Sequence, residues 1–379
     1  MSDGRVSDVL IIGAGVIGLA IARALNKRGV KSISVIERGV VGGEASHAAA
    51  GMLAPQCEAD RADDFFRLCR GSSRFYPLLS WQLRAETGID IELDRSGTLF
   101  AAFTDEDVAE IRQRFEWQKS SGLAVEHLPA GEVLKMEPNL SRQVREALYF
   151  PHDTQVENRK LVAALKKYAE IQGITVRQYT EIKSLIVDSG RVTGAASASE
   201  KFHARTTVLA AGAWTPFIKL GETAFPVDVR PVRGQMICFD PDERLFRKVI
   251  YTPRGYVVPR ADGRVLCGAT VENKGFDKLI TTEGIEKLRH DAAEISPAFS
   301  SLGVSDSWAG LRPASPDGLP VLGELPDIKG LVIATGHYRN GILLAPITAE
   351  IVADHIARGV RSEFFDIFGP QRFHATATV

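Results

Sequence analysis

The chain has 379 residues, of which 45% are hydrophobic and 25% charged, and 46 Lys and Arg residues nearly balance 47 Asp and Glu residues, for a formal net charge of −1. A chain of this length exceeds the size at which one hydrophobic core keeps growing, so we expect two domains. The balanced charge gives no support for binding to nucleic acid or to an anionic membrane surface, and we predict neither partner.

The first predicted elements are a strand, a helix and a second strand. Residues 9–12 form a short run of branched apolar residues, as in a buried parallel strand. A helix is predicted over residues 16–27, and a strand over residues 32–36 that ends at Glu37. The pattern G-x-G-x-x-G, with Gly13, Gly15 and Gly18, lies between the first strand and the helix. This order predicts a βαβ unit that binds a dinucleotide.

Each glycine of this pattern has a structural role. Gly13 permits the tight turn, Gly15 lets the backbone approach a pyrophosphate, and Gly18 allows the helix to pack closely on the strand. Free N–H groups at the start of the helix face the phosphates, and Glu37 can accept hydrogen bonds from ribose hydroxyls. The alternative is a βαβ unit with incidental glycines, which requires three coincidences at fixed offsets.

A run of small residues follows the βαβ unit. Gly42 and Gly43 predict a turn, and residues 48–51 have almost no side chains. Such a run suits backbone that lies flat against a planar ligand or a phosphate. A tightly packed helix of small residues is the alternative, and composition leaves both open.

The next predicted elements include a segment that leaves the first domain. Residues 63–84 have a helical apolar stripe, and residues 93–103 predict two strands of a hairpin that is broken at Ser96 and Gly97. Residues 105–121 predict a charged amphipathic helix with a solvated face.

The rest of the chain returns twice to the first domain. A buried strand that begins at residue 208 and runs into a glycine turn indicates the first return, and a second sheet of antiparallel strands is predicted after it. The remaining predicted elements are helices over 158–172, 282–293 and 343–358 and strands over 175–179, 181–188, 191–195, 226–240, 249–268 (with a turn at Asp262 and Gly263) and 330–336.

This order predicts an α/β fold of two discontinuous domains. We expect a Rossmann-like nucleotide domain from residues 1–83, 150–221 and 306–379. A substrate domain on a mainly antiparallel sheet is expected from residues 84–149 and 222–305.

The four cysteines lie far apart in the sequence, at 57, 69, 238 and 267, with no C-x-x-C pair. They fit neither a zinc site nor a disulfide framework, so we predict no metal and a cytoplasmic protein. The apolar run at residues 9–22 is too short to span a bilayer and is followed by no cleavage-site pattern.

Six motifs together resemble the FAD-dependent D-amino-acid oxidase superfamily, whose fold is of the glutathione-reductase type, and within it the bacterial glycine oxidases of thiamine biosynthesis. The motif Trp-Ala-Gly-Leu-Arg-Pro at 308–313 and the segment 336–346 are much more specific than the opening glycines. The six segments are residues 11–18, 48–53, 210–214, 255–260, 308–313 and 336–346.

The resemblance implies FAD as the cofactor. Residues 337–343 would lie under the flavin, where the start of the following helix stabilises negative charge on the reduced ring. The cofactor-binding residues that the resemblance and the opening pattern imply are Gly13, Gly15, Val16, Ile17, Gly18, Glu37, Arg38, Ala45, Ser46, Ala50, Gly51, Met52, Ile182, Gly212, His337, Tyr338, Arg339, Asn340, Gly341, Ile342 and Leu343.

The resemblance also implies a substrate pocket. Arg312 would clamp the substrate carboxylate, since a guanidinium fork binds a carboxylate bidentately and keeps its charge. Arg339, Tyr256 and Met52 would line the same pocket. Arg254 would border it at a position where relatives carry His, and Val271 replaces a Met of the relatives, so the preferred substrate side chain stays open.

Some superfamily members attach FAD to a cysteine in the region that matches residues 313–323. This chain has no cysteine there. We therefore predict non-covalent FAD.

The implied activity is oxidation of glycine, sarcosine or D-alanine, with molecular oxygen as acceptor, to an imine or oxo acid, ammonia and hydrogen peroxide. No obligatory protein base is expected, because positioning and charge stabilisation suffice. Homo-oligomers are expected from the relatives.

Four alternatives stay open. They are a D-amino-acid dehydrogenase with a quinone acceptor, a sarcosine-oxidase-like secondary amine oxidase, an NAD-dependent dehydrogenase and a flavin-binding module without turnover. Peroxide release, a flavin spectrum and anaerobic reduction by a panel of amines discriminate among them.

Overall fold

The opening βαβ unit has nearly the predicted bounds in the computed structural model, which describes residues 6–373. Its helix spans Val16–Lys27, and its two strands span Ser7–Ile12 and Ile33–Ile36. The helix ends in a turn at Arg28 and at Gly29, whose φ is +87°. Residues 1–5 and 374–379, the outer ends of the predicted nucleotide domain, lie outside the described range.

The described chain contains two large sheets and one strand pair. The strands in chain order are β1 Ser7–Ile12, β2 Ile33–Ile36, β3 Met52–Leu53, β4 Thr98–Ala102, β5 Glu126–Pro129, β6 Glu146–Phe150, β7 Thr154–Gln155, β8 Thr175–Arg177, β9 Ile182–Asp188, β10 Arg191–Ser197, β11 Lys201–Leu209, β12 Lys219–Leu220, β13 Arg230–Phe239, β14 Val249–Thr252, β15 Gly255–Pro259, β16 Val265–Gly268, β17 Val304–Ala314, β18 Val321–Gly323 and β19 Leu331–Thr335.

Helices cover the first sheet and one side of the second. The α-helices in chain order are α1 Val16–Lys27, α2 Ala45–Ala48, α3 Pro55–Glu58, α4 Asp64–Ser73, α5 Tyr76–Thr87, α6 Asp105–Ser120, α7 Ala130–Met136, α8 Asn158–Ile171, α9 Thr282–Ile295, α10 Gly341–Arg358 and α11 Phe364–Ile367, with 3-10 turns at Gly212–Phe217, Pro297–Ser301 and Pro370–Phe373.

The first sheet has the parallel centre of a nucleotide-binding fold. Strands β8, β2, β1, β11 and β19 run parallel in that order, and β9 and β10 extend the sheet beyond β11 as antiparallel strands. Buried side chains of α1, α8 and α10 pack on one face of this centre. The carboxyl ends of β1 and β2 therefore open on one edge, where parallel sheets bind ligands.

The second sheet has the order β17-β13-β16-β15-β14-β4-β6-β5. All its pairs are antiparallel except β14 with β4. Buried side chains of α7 and α9 pack on its outer face. These two sheets confirm the predicted α/β class with a mainly antiparallel second sheet.

Three predictions are corrected by the strand pairings and helix bounds. Residues 93–103 do not form a hairpin, because β4 pairs with the distant β6 and β14 while Asp94 makes a local turn by accepting from the Ser96 N–H at 2.8 Å. Residues 63–84 form two helices, α4 and α5, with Pro77 in the first turn of the second. Residues 304–314, most of which were assigned to the nucleotide domain, form β17 and pair along their length with β13.

Within residues 6–373, no helix has the length and apolarity needed to cross a bilayer. The same residues contain no cluster of His, Cys, Asp and Glu side chains that could hold a metal ion. The four cysteines are free and buried.

Candidate active site

A large cavity opens between the two sheets. It contains about 1750 Å³ of empty space, including its open mouth, and it is lined from both sheets and from the start of α10. Glu37 and Arg38, after β2, belong to its wall, and so do Tyr256 on β15 and Arg312 on β17. The cavity therefore joins the predicted nucleotide site to the predicted substrate site.

The glycines at the nucleotide end are required by close backbone contacts. Gly13 has a φ of +104°, and a Cβ there would lie 2.3 Å from the Ala210 carbonyl oxygen. A Cβ on Gly18 would lie 2.0 Å from the Gly13 carbonyl oxygen. Gly18 therefore allows α1 to pack closely on the loop and on β1, as its place in the pattern predicts.

Glu37 is held at the end of β2 by backbone donors. Its carboxylate accepts from the Ala14 N–H at 2.8 Å and from the Gly39 N–H at 2.9 Å, and its side chain lies on the cavity wall. Ser46 accepts from the Val16 N–H at 3.0 Å, in the first turn of α1. An oriented carboxylate beside the start of a helix is the arrangement that binds a ribose and a pyrophosphate.

The run of small residues is partly helix and partly extended backbone. Residues Ala45–Ala48 form the short α2, and the chain leaves this helix through Ala49, whose backbone is extended, to run along the cavity wall. Gly51 has a φ of +74°, and a Cβ there would lie 2.0 Å from the Val156 carbonyl oxygen. Of residues 48–51 only Ala48 is helical, and contact of the others with a planar ligand or a phosphate stays a prediction.

Arg260 fixes that extended segment from behind. It is 3% exposed and donates to the carbonyl oxygens of Ala50 and Val156 and to the side chain of Asn158, at 2.9–3.0 Å. Burial lowers the pKa of Arg260 to about 10. The segment 48–51 is thereby held against the cavity by a buried cation.

Alternate residues of the motif at 308–313 lie on the same face of β17 and point toward the cavity region. Trp308 donates from its indole N–H to the Ala48 carbonyl at 3.0 Å, and a Cβ on Gly310 would lie 2.4 Å from the Ala48 Cβ. Successive side chains of a strand alternate between faces, so Trp308, Gly310 and Arg312 share one face. The first two bind the small-residue segment, and Arg312 reaches the cavity.

Arg312 has space for its guanidinium because of a glycine on the neighbouring strand. A Cβ on Gly234 would lie 2.2 Å from Arg312 Nη1. Nη1 donates to the Thr270 carbonyl at 3.1 Å. Within residues 6–373 no carboxylate lies within ion-pair distance of Arg312, so its charge is available to a ligand.

Tyr256 stands beside Arg312 in the cavity wall. Its hydroxyl donates to Met236 Sδ at 3.2 Å, and its ring stacks on Tyr251 with centroids 6.5 Å apart. Burial raises the pKa of Tyr256, and the guanidinium of Arg312 opposes that rise. Tyr256 is therefore a neutral hydroxyl within reach of whatever Arg312 binds.

Arg339 faces a carboxylate across the same end of the cavity. Its Nη2 lies 3.9 Å from Glu58 Oε1 and 3.5 Å from the Tyr251 hydroxyl. Glu58 ends the short α3 and lines the cavity. Burial raises the pKa of Glu58, and the guanidinium groups of Arg339, Arg312 and Arg114 oppose that rise.

The segment before α10 forms a tight corner. The Tyr338 N–H donates to the Pro313 carbonyl at 3.0 Å, and Tyr338 has a φ of +45°. His337 contacts Thr348 Oγ1 through Nε2 at 3.1 Å, and burial lowers the pKa of His337 to about 3. The Asn340 side chain does not cap α10, so the first N–H groups of this helix are available to an anion.

The structure brings most of the predicted site residues to the cavity. Those on its wall are Gly13, Gly15, Val16, Ile17, Glu37, Arg38, Ala45, Ser46, Ala50, Gly51, Met52, Ile182, Gly212, Tyr256, Arg312, His337, Tyr338, Arg339, Asn340, Gly341 and Ile342. Their contacts with a cofactor or substrate stay predictions.

Three predicted residues lie off the wall. Gly18 is below the loop, and the Leu343 side chain is 2% exposed within the core beside α4. Arg254 is a correction to the predicted substrate pocket. Its guanidinium is bound to the Asp107 carboxylate at 2.9 Å and the Glu294 carboxylate at 3.2 Å, and it does not belong to the cavity wall.

Sequence analysis did not identify Glu58, Met236 and Tyr251 as site residues, and it assigned no role to Arg260, which ends the motif at 255–260. Glu58 lies six residues after Met52, in a segment of four helical residues that no periodicity reveals. Tyr251 and Met236 reach the site only because β14 and β13 flank β15 and β16 in the sheet. A pairing of strands that are distant in sequence brings them together.

These residues fit FAD. Glycines without room for a Cβ, an oriented carboxylate at the end of β2 and the uncapped start of α10 suit a pyrophosphate, a ribose and an anionic ring.

Comparison with known proteins agrees with this fit. The family described as FAD dependent oxidoreductase matches residues 8–355. The glycine oxidase of Geobacillus kaustophilus (strain HTA426) is 38% identical over 355 residues, which cover 93% of each chain. The bifunctional protein ThiO/ThiG of Synechocystis is 35% identical over 376 residues, which cover 98% of this chain and 54% of that protein.

The same fold occurs in a solved glycine oxidase. The crystal structure of the enzyme from Geobacillus kaustophilus superposes with a TM-score of 0.90 at 36% identity, and the match covers 96% of this chain and 98% of that one. The chain belongs to the FAD-dependent oxidoreductases of the D-amino-acid oxidase superfamily, and within them to the glycine oxidase family.

Proposed function

We propose that this protein is a glycine oxidase that also accepts small amines such as sarcosine and D-alanine. The observation that carries the proposal is Arg312, a cation on the cavity wall with no carboxylate within ion-pair distance among the described residues and with Tyr256 beside it. A site of this kind binds one carboxylate bidentately.

The substrate would bind with its carboxylate on Arg312 and on the Tyr256 hydroxyl. Met52 and Met236 line the same end of the cavity with apolar atoms. FAD held along the nucleotide end of the cavity would supply the hydride acceptor, and molecular oxygen would be the final acceptor, with hydrogen peroxide as its product. For glycine the overall change is glycine, oxygen and water to glyoxylate, ammonia and hydrogen peroxide.

The chain's own contribution is positioning and charge. Arg312 fixes the carboxylate, so the Cα–H of a small substrate has few orientations left. The first N–H groups of α10 and the neutral, buried His337 form the corner that would stabilise negative charge.

We infer that FAD is held without a covalent bond. The four cysteines are buried in the cores at 0–4% exposure, and none lies on the cavity wall in the described chain. A role in thiamine thiazole formation follows from the same resemblance, and it is supported by the likeness to the ThiO/ThiG protein. Cytoplasmic location and homo-oligomeric assembly stay predictions from the sequence.

The test is anaerobic reduction of the purified flavoprotein by glycine, sarcosine and D-alanine, followed by peroxide measurement in air. We expect all three to bleach the flavin absorbance and to yield peroxide close to one per substrate oxidised. Bleaching with little peroxide would support a dehydrogenase with another acceptor, and absence of bleaching would overturn the proposal.

A further inference from the structure

The substrate end of the cavity contains a carboxylate that the proposed reaction does not use. Glu58 lines the wall 3.9 Å from Arg339, and 21% of the Glu58 side chain and 37% of the Arg339 side chain are accessible. Among residues 6–373, no side chain or backbone N–H donates a hydrogen bond to the Glu58 carboxylate. The Glu58 carboxylate thus faces its partner and the cavity.

Glu58 is held in this place by the helix that carries it. The first turn of α3 is bound by Asp153. This carboxylate is fully buried and accepts from the Gln56 N–H at 3.2 Å and the Cys57 N–H at 2.8 Å. The Gln56 side chain also donates to the side-chain oxygen of Gln118 in α6, and the Gln118 side chain donates to the Gln56 backbone carbonyl. A helix fixed at its start and side leaves the Glu58 carboxylate few alternatives to the wall of the cavity.

The charges at this end are arranged unequally. Glu58 lies opposite Arg339, whereas Arg312 donates to the backbone carbonyls of Arg233 and Thr270 and has no carboxylate within ion-pair distance among residues 6–373. The three side chains carry one positive charge in excess, and that excess sits on Arg312. A ligand with one carboxylate matches it, and a ligand with two would place the second beside Glu58.

We propose, on the basis of the glycine oxidase activity proposed above, that Glu58 determines specificity by neutralising Arg339, so that the site accepts amines with a single carboxylate and rejects those with two. Like charges placed side by side in a partly desolvated site are strongly unfavourable, and a protein can use such repulsion to exclude a competitor. Glu58 acts here through the charge of Arg339 and needs no contact with the reacting atoms.

A different role for Glu58 would be acceptance of a proton from the substrate ammonium group. Both roles predict that Glu58→Gln changes activity, but they differ in direction. Loss of a proton acceptor slows every substrate, whereas loss of the repulsion favours substrates that carry a second carboxylate.

The experiment compares two substrates that differ by one carboxylate, sarcosine and iminodiacetate, in the FAD-loaded protein. We expect Glu58→Gln to raise the ratio of kcat/KM for iminodiacetate to that for sarcosine by about tenfold or more, through KM, which corresponds to about 1.4 kcal/mol. Glu58→Asp keeps the charge and should keep the ratio within about threefold. Glu132→Gln removes one charge from a side chain that is 53% exposed and should leave the ratio unchanged.

An unchanged ratio in Glu58→Gln, or equal loss of kcat on both substrates, would overturn the proposal. A measurement on the unaltered protein covers the case in which Glu58→Gln fails to fold. Propionate and malonate are titrated as ligands that perturb the flavin spectrum, and we expect propionate to bind at least about tenfold more tightly. Malonate binding as tight as propionate binding would overturn the proposal.

Failure of this inference is distinguishable from failure of the proposed function. If glycine and sarcosine do not reduce the flavin, the oxidase activity is refuted, while the titration of propionate and malonate still reports the charge of the pocket. If both amines reduce the flavin and the selectivity ratio stays constant, only the role of Glu58 is refuted.

Discussion

The two ends of the cavity are built by different means. At the nucleotide end, the backbone of residues 13–37 makes most of the site. Gly13 and Gly18 have no room for a Cβ, and the Glu37 carboxylate accepts from the Ala14 N–H at 2.8 Å. At the substrate end, side chains from separate strands and helices converge, as with Glu58, Tyr256 and Arg312. A local pattern can encode the first kind of site, whereas the second depends on tertiary pairing.

The largest effect is expected from adding one methyl group at the nucleotide end. In Gly13→Ala the new Cβ lies 2.3 Å from the Ala210 carbonyl oxygen at a φ of +104°. Overpacking and a disfavoured φ together should cost about 2–6 kcal/mol of unfolding free energy, with loss of bound FAD. Urea unfolding and the ratio of flavin to protein absorbance measure both.

Gly29→Ala is the matched control for this change. Gly29 also has a positive φ, at +87°, but a Cβ there meets no atom within 4 Å. Only the cost of a positive φ remains, which should lower the unfolding free energy by about 1 kcal/mol, and FAD should be retained. Equal losses in the two variants would show that close backbone contact does not decide this end of the site.

The next effect concerns Arg312 at the substrate end, which has no carboxylate within ion-pair distance among residues 6–373. Arg312→Ala should keep FAD and raise the KM for glycine by about 100-fold or more, because a charged hydrogen-bonded pair in a desolvated site is worth several kcal/mol. Steady-state kinetics of peroxide formation measures the change. Arg254→Ala is the control, since Arg254 is bound to Asp107 and Glu294 outside the cavity, and its KM should stay within about twofold.

A similar rise of KM in Arg254→Ala would restore the sequence-based place of Arg254 in the substrate pocket. An unchanged KM in Arg312→Ala would remove Arg312 from the role of clamp.

Sequence analysis predicted the features that local patterns encode and missed those that depend on pairing between distant strands. The bounds of α1 are as predicted, and the strand before α10 brings residues 337–342 to the cavity, because short apolar runs and glycine turns are local signals. The predicted hairpin at 93–103 is wrong, because β4 finds its partners in β6 and β14 about 50 and 150 residues away. Tyr251 was missed because no local pattern encodes which strands become neighbours, and Glu58 was missed because a helix of four residues shows no periodicity.

The corner before α10 contains a buried histidine, His337. The pH dependence of the unfolding free energy tests whether this histidine is neutral in the folded protein. Burial lowers the pKa of His337 to about 3, whereas the unfolded chain binds a proton at its ordinary pKa of about 6.5. The contribution of the neutral folded form is therefore complete above pH 6.5 and is lost as the pH falls toward 3. Between pH 7.5 and pH 5 the loss should be about 2 kcal/mol.

Unfolding free energies of the unaltered protein and of His337→Asn at these two pH values measure that loss as a change in their difference. His290→Asn is the control, because the His290 side chain is 73% exposed. A difference between unaltered protein and His337→Asn that does not change with pH would contradict a neutral His337 in the corner.

The smallest effect is expected from a single hydroxyl at the substrate end. Tyr256 lies beside Arg312 and would share the substrate carboxylate with it, whereas the Tyr251 hydroxyl faces Arg339 at 3.5 Å and the residue is not on the cavity wall. Tyr256→Phe should raise the KM for glycine about 5- to 10-fold, the worth of one hydrogen bond, with kcat nearly unchanged. Tyr251→Phe keeps the stacked ring and should change KM less than about twofold. If both variants behave alike, the two stacked tyrosines form only a packed wall, and Arg312 alone would define the polar contact of the substrate carboxylate.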